Sequence, residues 1–308
     1  MRAIAIISVI RSARRGLALV SLLCGLLPLA AFPQSRKPVP APGDPPPDVP
    51  TFVVPDLKAD APLRIVAYGD IRFTDTHNTS VTNPRVRHYL ADAVAAEKPD
   101  ALLVTGDIPY IGHKPSDWRI FREEAAAWKS NHLRVYPTVG NHEIMEDRKA
   151  GMQNFFENFP QLQGHRFYSV QAGSAYIIVL DSTARMMSPA YMEPWLDSQL
   201  AHLPAQTRFV FILVHHPLIA DLQSEFIANI PGPEQSRLRD HLEEKASQIH
   251  AKIVVISGHI HNYERFEHGG ISYIISGGGG ADPYPVLFRG TQDLYRDRSY
   301  PNYHYLVF

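Results

Sequence analysis

The chain has 308 residues, 45% hydrophobic and 20% charged, which is the arithmetic of a globular protein with one large core or two small ones. Thirty basic residues against thirty-one acidic ones leave a formal charge of −1, so whole-molecule charge indicates neither a nucleic-acid nor a membrane-surface partner. Fifteen histidines against one cysteine point to chemistry with imidazole and oxygen ligands, and away from thiolates and disulfides.

The single Cys24 lies in an N-terminal segment ordered like an export signal. Arg2, Arg11, Arg14 and Arg15 precede an apolar run over residues 17–32 that ends near Ala30 and Ala31. Pro28 breaks this run, and about 20 apolar residues are needed to span a bilayer, which favours a cleaved signal over a stable membrane anchor. The Arg14-Arg15 pair is a weak match to a twin-arginine signal. Residues 1–32 are therefore expected to send the protein to the periplasm or the exterior, leaving a mature chain without cysteine. Residues 33–62, with Pro38, Pro40, Pro42, Pro45, Pro46, Pro47 and Pro50, favour an extended spacer. A catalytic domain is expected over residues 63–308.

From Leu63 onward, short apolar runs alternate with helical patterns. Strands are predicted over residues 64–68, 101–104, 133–139, 176–180, 209–214 and 252–256. Helices are predicted over residues 85–97, 116–129, 190–202 and 234–250. Two further strands, residues 271–275 and 303–308, have no helix between them, so mixed pairing is expected there. The alternation predicts a layered α/β domain.

Five polar clusters follow five of the predicted strands: Gly69-Asp70, Gly106-Asp107 with Tyr110, Gly140-Asn141-His142-Glu143, His215-His216-Pro217, and Gly258-His259-Ile260-His261. In α/β sheets, ligands bind beyond the carboxyl ends of strands, where loops converge. A Gly-Asp after one strand is commonly only a turn or helix cap. Five clusters in succession are much harder to explain that way. Two Asp, one Asn, several His and a Tyr exceed the ligands of one metal and suit two adjacent cations with a bridging carboxylate.

This ordered set resembles the calcineurin-like metallophosphoesterases, and within them it is most similar to the purple acid phosphatase branch. Tyr263-Glu264-Arg265 and the glycines 277–280 extend the resemblance, which spans residues 65–308. It implies a two-sheet β core flanked by helices, with a dinuclear metal site at the strand carboxyl ends. It also implies that Asp70, Asp107, Tyr110 and His261 hold the first metal. Asp107 would bridge to a second, held by Asn141, His215 and His259, while His142 would act on the substrate from outside the ligand set. Ferric iron is expected at the first site, because a phenol binds as phenolate at neutral pH only to a strongly polarising ion. Fe(II), Zn or Mn is expected at the second.

Two positions stand apart from that resemblance. Arg72 occupies a place where relatives commonly have His or Gly. It cannot ligate, so it either grips the substrate phosphate or pairs with Glu143. His216 admits either a supporting role behind a ligand or a structural one. The expected activity is hydrolysis of a small phosphoester, as an exported acid phosphatase-like phosphomonoesterase. A phosphodiesterase using the same metals, or a non-catalytic phosphate- or metal-binding protein, is the alternative. No protein partner can be deduced. Residues 73–84 and 282–300 are expected to shape substrate choice.

Overall fold

The computed structural model describes residues 5–9, 49–58, 60–183, 192–286, 289–295 and 303–308. Strands β3 (Ile65–Tyr68), β4 (Ala101–Val104) and β5 (Val135–Pro137) run parallel, the pairing that follows from helical crossovers between them. Strand β12 (Tyr303–Val307) closes antiparallel on β3, and β1 (Ala5–Val9) pairs antiparallel with β12. β1 lies inside the segment whose sequence suggests an export signal.

Among the described residues, the second sheet has seven strands. Its parallel centre is β7 (Ala175–Val179), β8 (Phe209–Leu213), β9 (Lys252–Ser257) and β11 (Ile271–Ser276). β10 (Tyr263–His268) flanks β11 antiparallel, joined to it by Gly269–Gly270, both at positive φ. At the other edge β6 (Tyr168–Ala172) pairs antiparallel with β7 and parallel with β2 (Thr51–Val53). β2 and the buried Val54 place packed structure inside the stretch expected to be spacer.

The apolar runs are continuous because each central strand is buried on both faces. In β7, Ile177 and Val179 join the core between the sheets, while Tyr176 and Ile178 face helices α6 (Met192–Ala201) and α8 (Pro233–Ala246) through Leu196, Leu200, Leu238 and Leu242. On the opposite side, α1 (Pro84–Ala96) covers the first sheet with Leu90, Ala91 and Val94. The layers therefore run helix, sheet, sheet, helix. Asn83 caps α1 by accepting the Val86 N–H, with Pro84 in the first turn.

The helix expected over residues 116–129 is two helices, α2 (Pro115–Glu124) and α3 (Ala126–Ser130), separated at Ala125. No Pro or Gly breaks it. Trp128 donates its indole N–H to the Ala91 carbonyl of α1 at 3.0 Å and stacks edge-on to Phe121, and this packing sets the bend. β6 and β10 escaped the sequence pattern because β6 lacks a long apolar run and β10 carries Glu264, Arg265 and Glu267.

Arg87 fastens α1 to the loop that leaves β3. Its buried guanidinium bonds Glu124 twice, at 2.8 and 2.6 Å, and reaches the carbonyls of Thr74 and Arg72. Removing one partner of a buried, hydrogen-bonded pair strands the other charge. Arg87→Met is expected to lower unfolding stability by about 3 kcal/mol in urea denaturation.

Candidate metal centre

All five polar clusters meet at the carboxyl ends of β3, β4, β5, β8 and β9. Beyond β3 and β4 the chain turns sharply, with Asp70 at φ 56° and Asp107 at φ 53°. Asp is one of the few non-glycine residues that tolerate this left-handed region. The two turns are laced together: Asp70 N–H donates to Gly106 carbonyl, and the N–H groups of Ile71 and Arg72 donate to Asp107 carbonyl, all at 3.0 Å. Arg72 (φ 56°) and His259 (φ 68°) are strained in the same sense, so the strain gathers at the site.

Two of the imidazoles are aimed by their second nitrogen. His215 Nδ1 lies 2.7 Å from the Thr105 carbonyl and His261 Nδ1 lies 2.8 Å from the Asp282 carbonyl. A carbonyl only accepts, so both Nδ1 atoms carry the proton and both Nε2 atoms present a lone pair. His215 Nε2 then faces Asn141 Oδ1 at 2.9 Å and Asp107 Oδ1 at 3.4 Å, while His259 Nδ1 lies 3.0 Å from the same Asn141 oxygen. His261 Nε2 is 3.7 Å from Asp70 Oδ1. His261 Nε2 and Asp107 Oδ2 are buried without a hydrogen-bond partner.

Acceptors facing acceptors need a cation between them. Ligand-capable atoms of Asp70, Asp107 and His215 lie within 4.8 Å of one another, and so do those of His215, His216 and His259. The donor set fits two adjacent metals, with His215 common to the two groupings.

The charges agree. Burial, then the neighbouring imidazoles, push His259 down to about 2 and His216 to about 3; burial, then Arg72, pushes His261 to about 3. All three are neutral near pH 7 and free to ligate. Burial and the Asp107 charge raise Asp70 well above the usual carboxylate range. Burial would raise Asp107 too, but the His215 and His142 imidazoles and Arg72 outweigh it and hold that carboxyl low.

His142 Nδ1 is 2.5 Å from the Tyr110 carbonyl, and its Nε2 is 2.8 Å from Arg72 Nη2. Arg72 also lies 3.7 Å from Asp107 Oδ2. Of the two alternatives raised for Arg72, the Glu143 pairing does not form. The buried Glu143 carboxylate is already taken by the N–H groups of Asp107, Ile108 and Gly140, at 3.0, 2.7 and 2.7 Å. The Tyr110 ring rests 5.3 Å from the His142 ring and 6.0 Å from the Arg72 guanidinium, at the Asp107 edge of the cluster.

Sequence reasoning passed over Ser182, which follows β7 and sits 2.8 Å from His216 Nδ1. Its signal was a polar Asp181-Ser182 pair after an apolar run, a sixth instance of the same pattern. Asp282 also matters, because its carbonyl aims His261. Asp282 lines a cavity of about 610 Å³ with Thr76, Thr79 and Asn83, which brings the loop over residues 73–84 beside the site. Residues 287–288 and 296–300 of the other substrate-loop expectation lie outside the described residues.

The calcineurin-like phosphoesterase family model matches residues 63–263. The chain belongs to that family. This phosphoesterase is 28% identical over 236 residues to purple acid phosphatase 1 of Ipomoea batatas, covering 70% of this chain and 46% of that protein. It is 27% identical over 248 residues to Fe(3+)-Zn(2+) purple acid phosphatase 12 of Arabidopsis thaliana, covering 74% and 48%. The fold is that of purple acid phosphatase PPD1 from yellow lupin, with a TM-score of 0.62 at 17% identity over 78% of this chain and 48% of that one. These likenesses support the purple acid phosphatase branch. The chain spans about half the length of these relatives.

Asp107 belongs to one grouping and its Oδ1 lies 3.4 Å from Nε2 of His215, the residue common to both, so its loss should weaken both. Asp107→Asn is expected to bind neither metal tightly, measured by elemental analysis after dialysis, while retaining its fold by circular dichroism.

Proposed function

We propose that this phosphoesterase is a metal-dependent phosphomonoesterase of the purple acid phosphatase kind. The observation that carries the monoester reading is the Arg72–His142 pair beside Asp107. A monoester dianion carries one more negative charge than a diester. Arg72, left free by Glu143, adds a planar cation whose paired N–H donors match two phosphoryl oxygens.

Bound in this donor set, two cations would acidify a water and stabilise charge on the phosphoryl oxygens. The chain's own residues supply the rest. Arg72 orients the phosphoryl group at the Asp107 edge. When it turns to that group it releases His142 Nε2, which then takes a proton from solvent and would deliver it to the leaving oxygen. The Tyr110 carbonyl holds the ring in place by its Nδ1.

Aryl phosphomonoester should be turned over in strong preference to the matched diester. Arg72→Ala is expected to raise KM for the monoester and narrow that preference. His142→Ala should instead lower kcat by about 100-fold, and by less for substrates with good leaving groups. A protein that turns over diester faster than monoester, with Arg72→Ala unchanged, would refute the reading.

We further infer ferric iron at the first site, with Tyr110 as its phenolate ligand and Fe(II), Zn or Mn at the second. The similarity to a relative named for Fe(3+) and Zn(2+) supports this. The oxidised iron-loaded protein should absorb in the visible, and Tyr110→Phe should abolish the band while keeping the iron.

Export through residues 1–32 completes the proposal. Among the described residues no helix is long and apolar enough to cross a membrane. Cleavage near Ala31 would remove β1 and leave β12 as the sheet edge, so N-terminal sequencing of exported protein tests both.

A further inference from the structure

We propose that His216 is a third imidazole ligand of the second cation, alongside His215 and His259, making that site nitrogen-rich. This rests on the dinuclear reading above and specifies which metal the second site prefers.

Neighbouring residues of an extended segment point to opposite faces, so the sequence alone would turn His216 away from His215. The loop after β8 does otherwise. The His216 ring lies 4.9 Å from the His215 ring and 4.5 Å from the His259 ring, and one nitrogen from each of the three falls within a 4.8 Å span.

Ser182 engages one of the two ring nitrogens from behind. Its hydroxyl oxygen accepts the His216 backbone N–H at 3.0 Å and sits 2.8 Å from His216 Nδ1. One hydroxyl oxygen has two lone pairs, enough to accept both N–H groups. In the tautomer this proposal assigns, Nδ1 donates to Ser182 and Nε2, left for the cluster, carries the lone pair. The arrangement repeats that of His215 and His261, whose Nδ1 atoms are held by carbonyls. A ring aimed by a partner behind it is how proteins orient ligating histidines.

The ligand set at the second site would then be three imidazoles, the Asn141 amide oxygen and the shared Asp107 carboxylate. Imidazole-rich sets suit Zn over Mn, which prefers oxygen. The structure therefore assigns Zn preference to the second site through a residue that the motif resemblance left undecided.

The test measures metal binding by the full chain. Metal-free protein is titrated with zinc against a chromogenic chelator. His216→Ala should weaken one of two zinc equivalents by more than about 100-fold, beyond the cost typical of losing a group behind a ligand. Ser182→Ala, which keeps the ligand but loosens its aim, should cost about tenfold. Manganese affinity should change less than zinc affinity in His216→Ala. On zinc-loaded wild-type protein, imidazole 15N resonances should show His216 protonated at Nδ1 and metal-bound at Nε2, which reads the proposal even if the variant folds poorly. A loss under about tenfold in His216→Ala, or a protonated Nε2 in the wild type, would overturn it. Failure of the phosphomonoesterase reading would appear separately, as two tight zinc sites with no turnover of monoester.

Discussion

One buried carboxylate holds the centre together. Glu143 gathers the N–H groups of Asp107, Ile108 and Gly140, which belong to the loops leaving β4 and β5. Those bonds fix the left-handed turn at Asp107, and that turn swings its side chain toward His215, which the two groups of donors share. The packing around Glu143 allows almost no variation. A Cβ on Gly140 would collide with the Asp107 amide and carboxylate. The His142 N–H adds a bond to Asp107 Oδ1 at 3.0 Å, so the loop carrying Asn141 and His142 is anchored to the carboxylate it helps to surround.

That brace creates an electrostatic problem which the site's chemistry then exploits. Asp70, Asp107 and Glu143 are all buried, and each raises the cost of ionising its neighbours. Burial and Asp107 push Glu143 up to about 8, opposed by its three N–H donors. Arg72 offsets part of this charge, standing 3.7 Å from Asp107 and lowering Asp70 as well. The rest calls for positive charge between the ligands. The surrounding imidazoles, kept neutral by burial, offer lone pairs where protons would otherwise be needed. A site that is unfavourable when empty is thereby suited to cations, and the framework held by Arg87 and Glu143 bears the strain.

Much of this was legible in the chain. Continuous apolar runs such as residues 101–104 and 209–214 declare strands buried on both faces, since only the interior of a sandwich tolerates no polar side. The polar clusters after them declare a site, because loops at the carboxyl ends of parallel strands must converge. Gly-x-His-x-His was informative for the same reason: alternate residues of an extended segment share a side. β10 was invisible because its Glu264 is buried against Ser224 and Asn262 rather than exposed, a fact of tertiary hydrogen bonding. The break at Ala125 was equally hidden, because it comes from where Trp128 meets α1.

The sequence by itself determined the layered α/β architecture, the strand-end location of the centre and the identity of its ligand-bearing motifs, because periodicity and turn chemistry are local properties. Tertiary structure decided which atoms face one another. Arg72 and Glu143 are residue types of opposite charge and both lie close to Asp107, so sequence alone pairs them readily. The fold spends Glu143 on backbone N–H groups and turns Arg72 to His142 instead. His216 likewise follows a ligand and should point away by simple alternation, yet the loop geometry and Ser182 bring its ring back toward His259. Such choices depend on distances between segments remote in sequence, and only the assembled fold sets those distances.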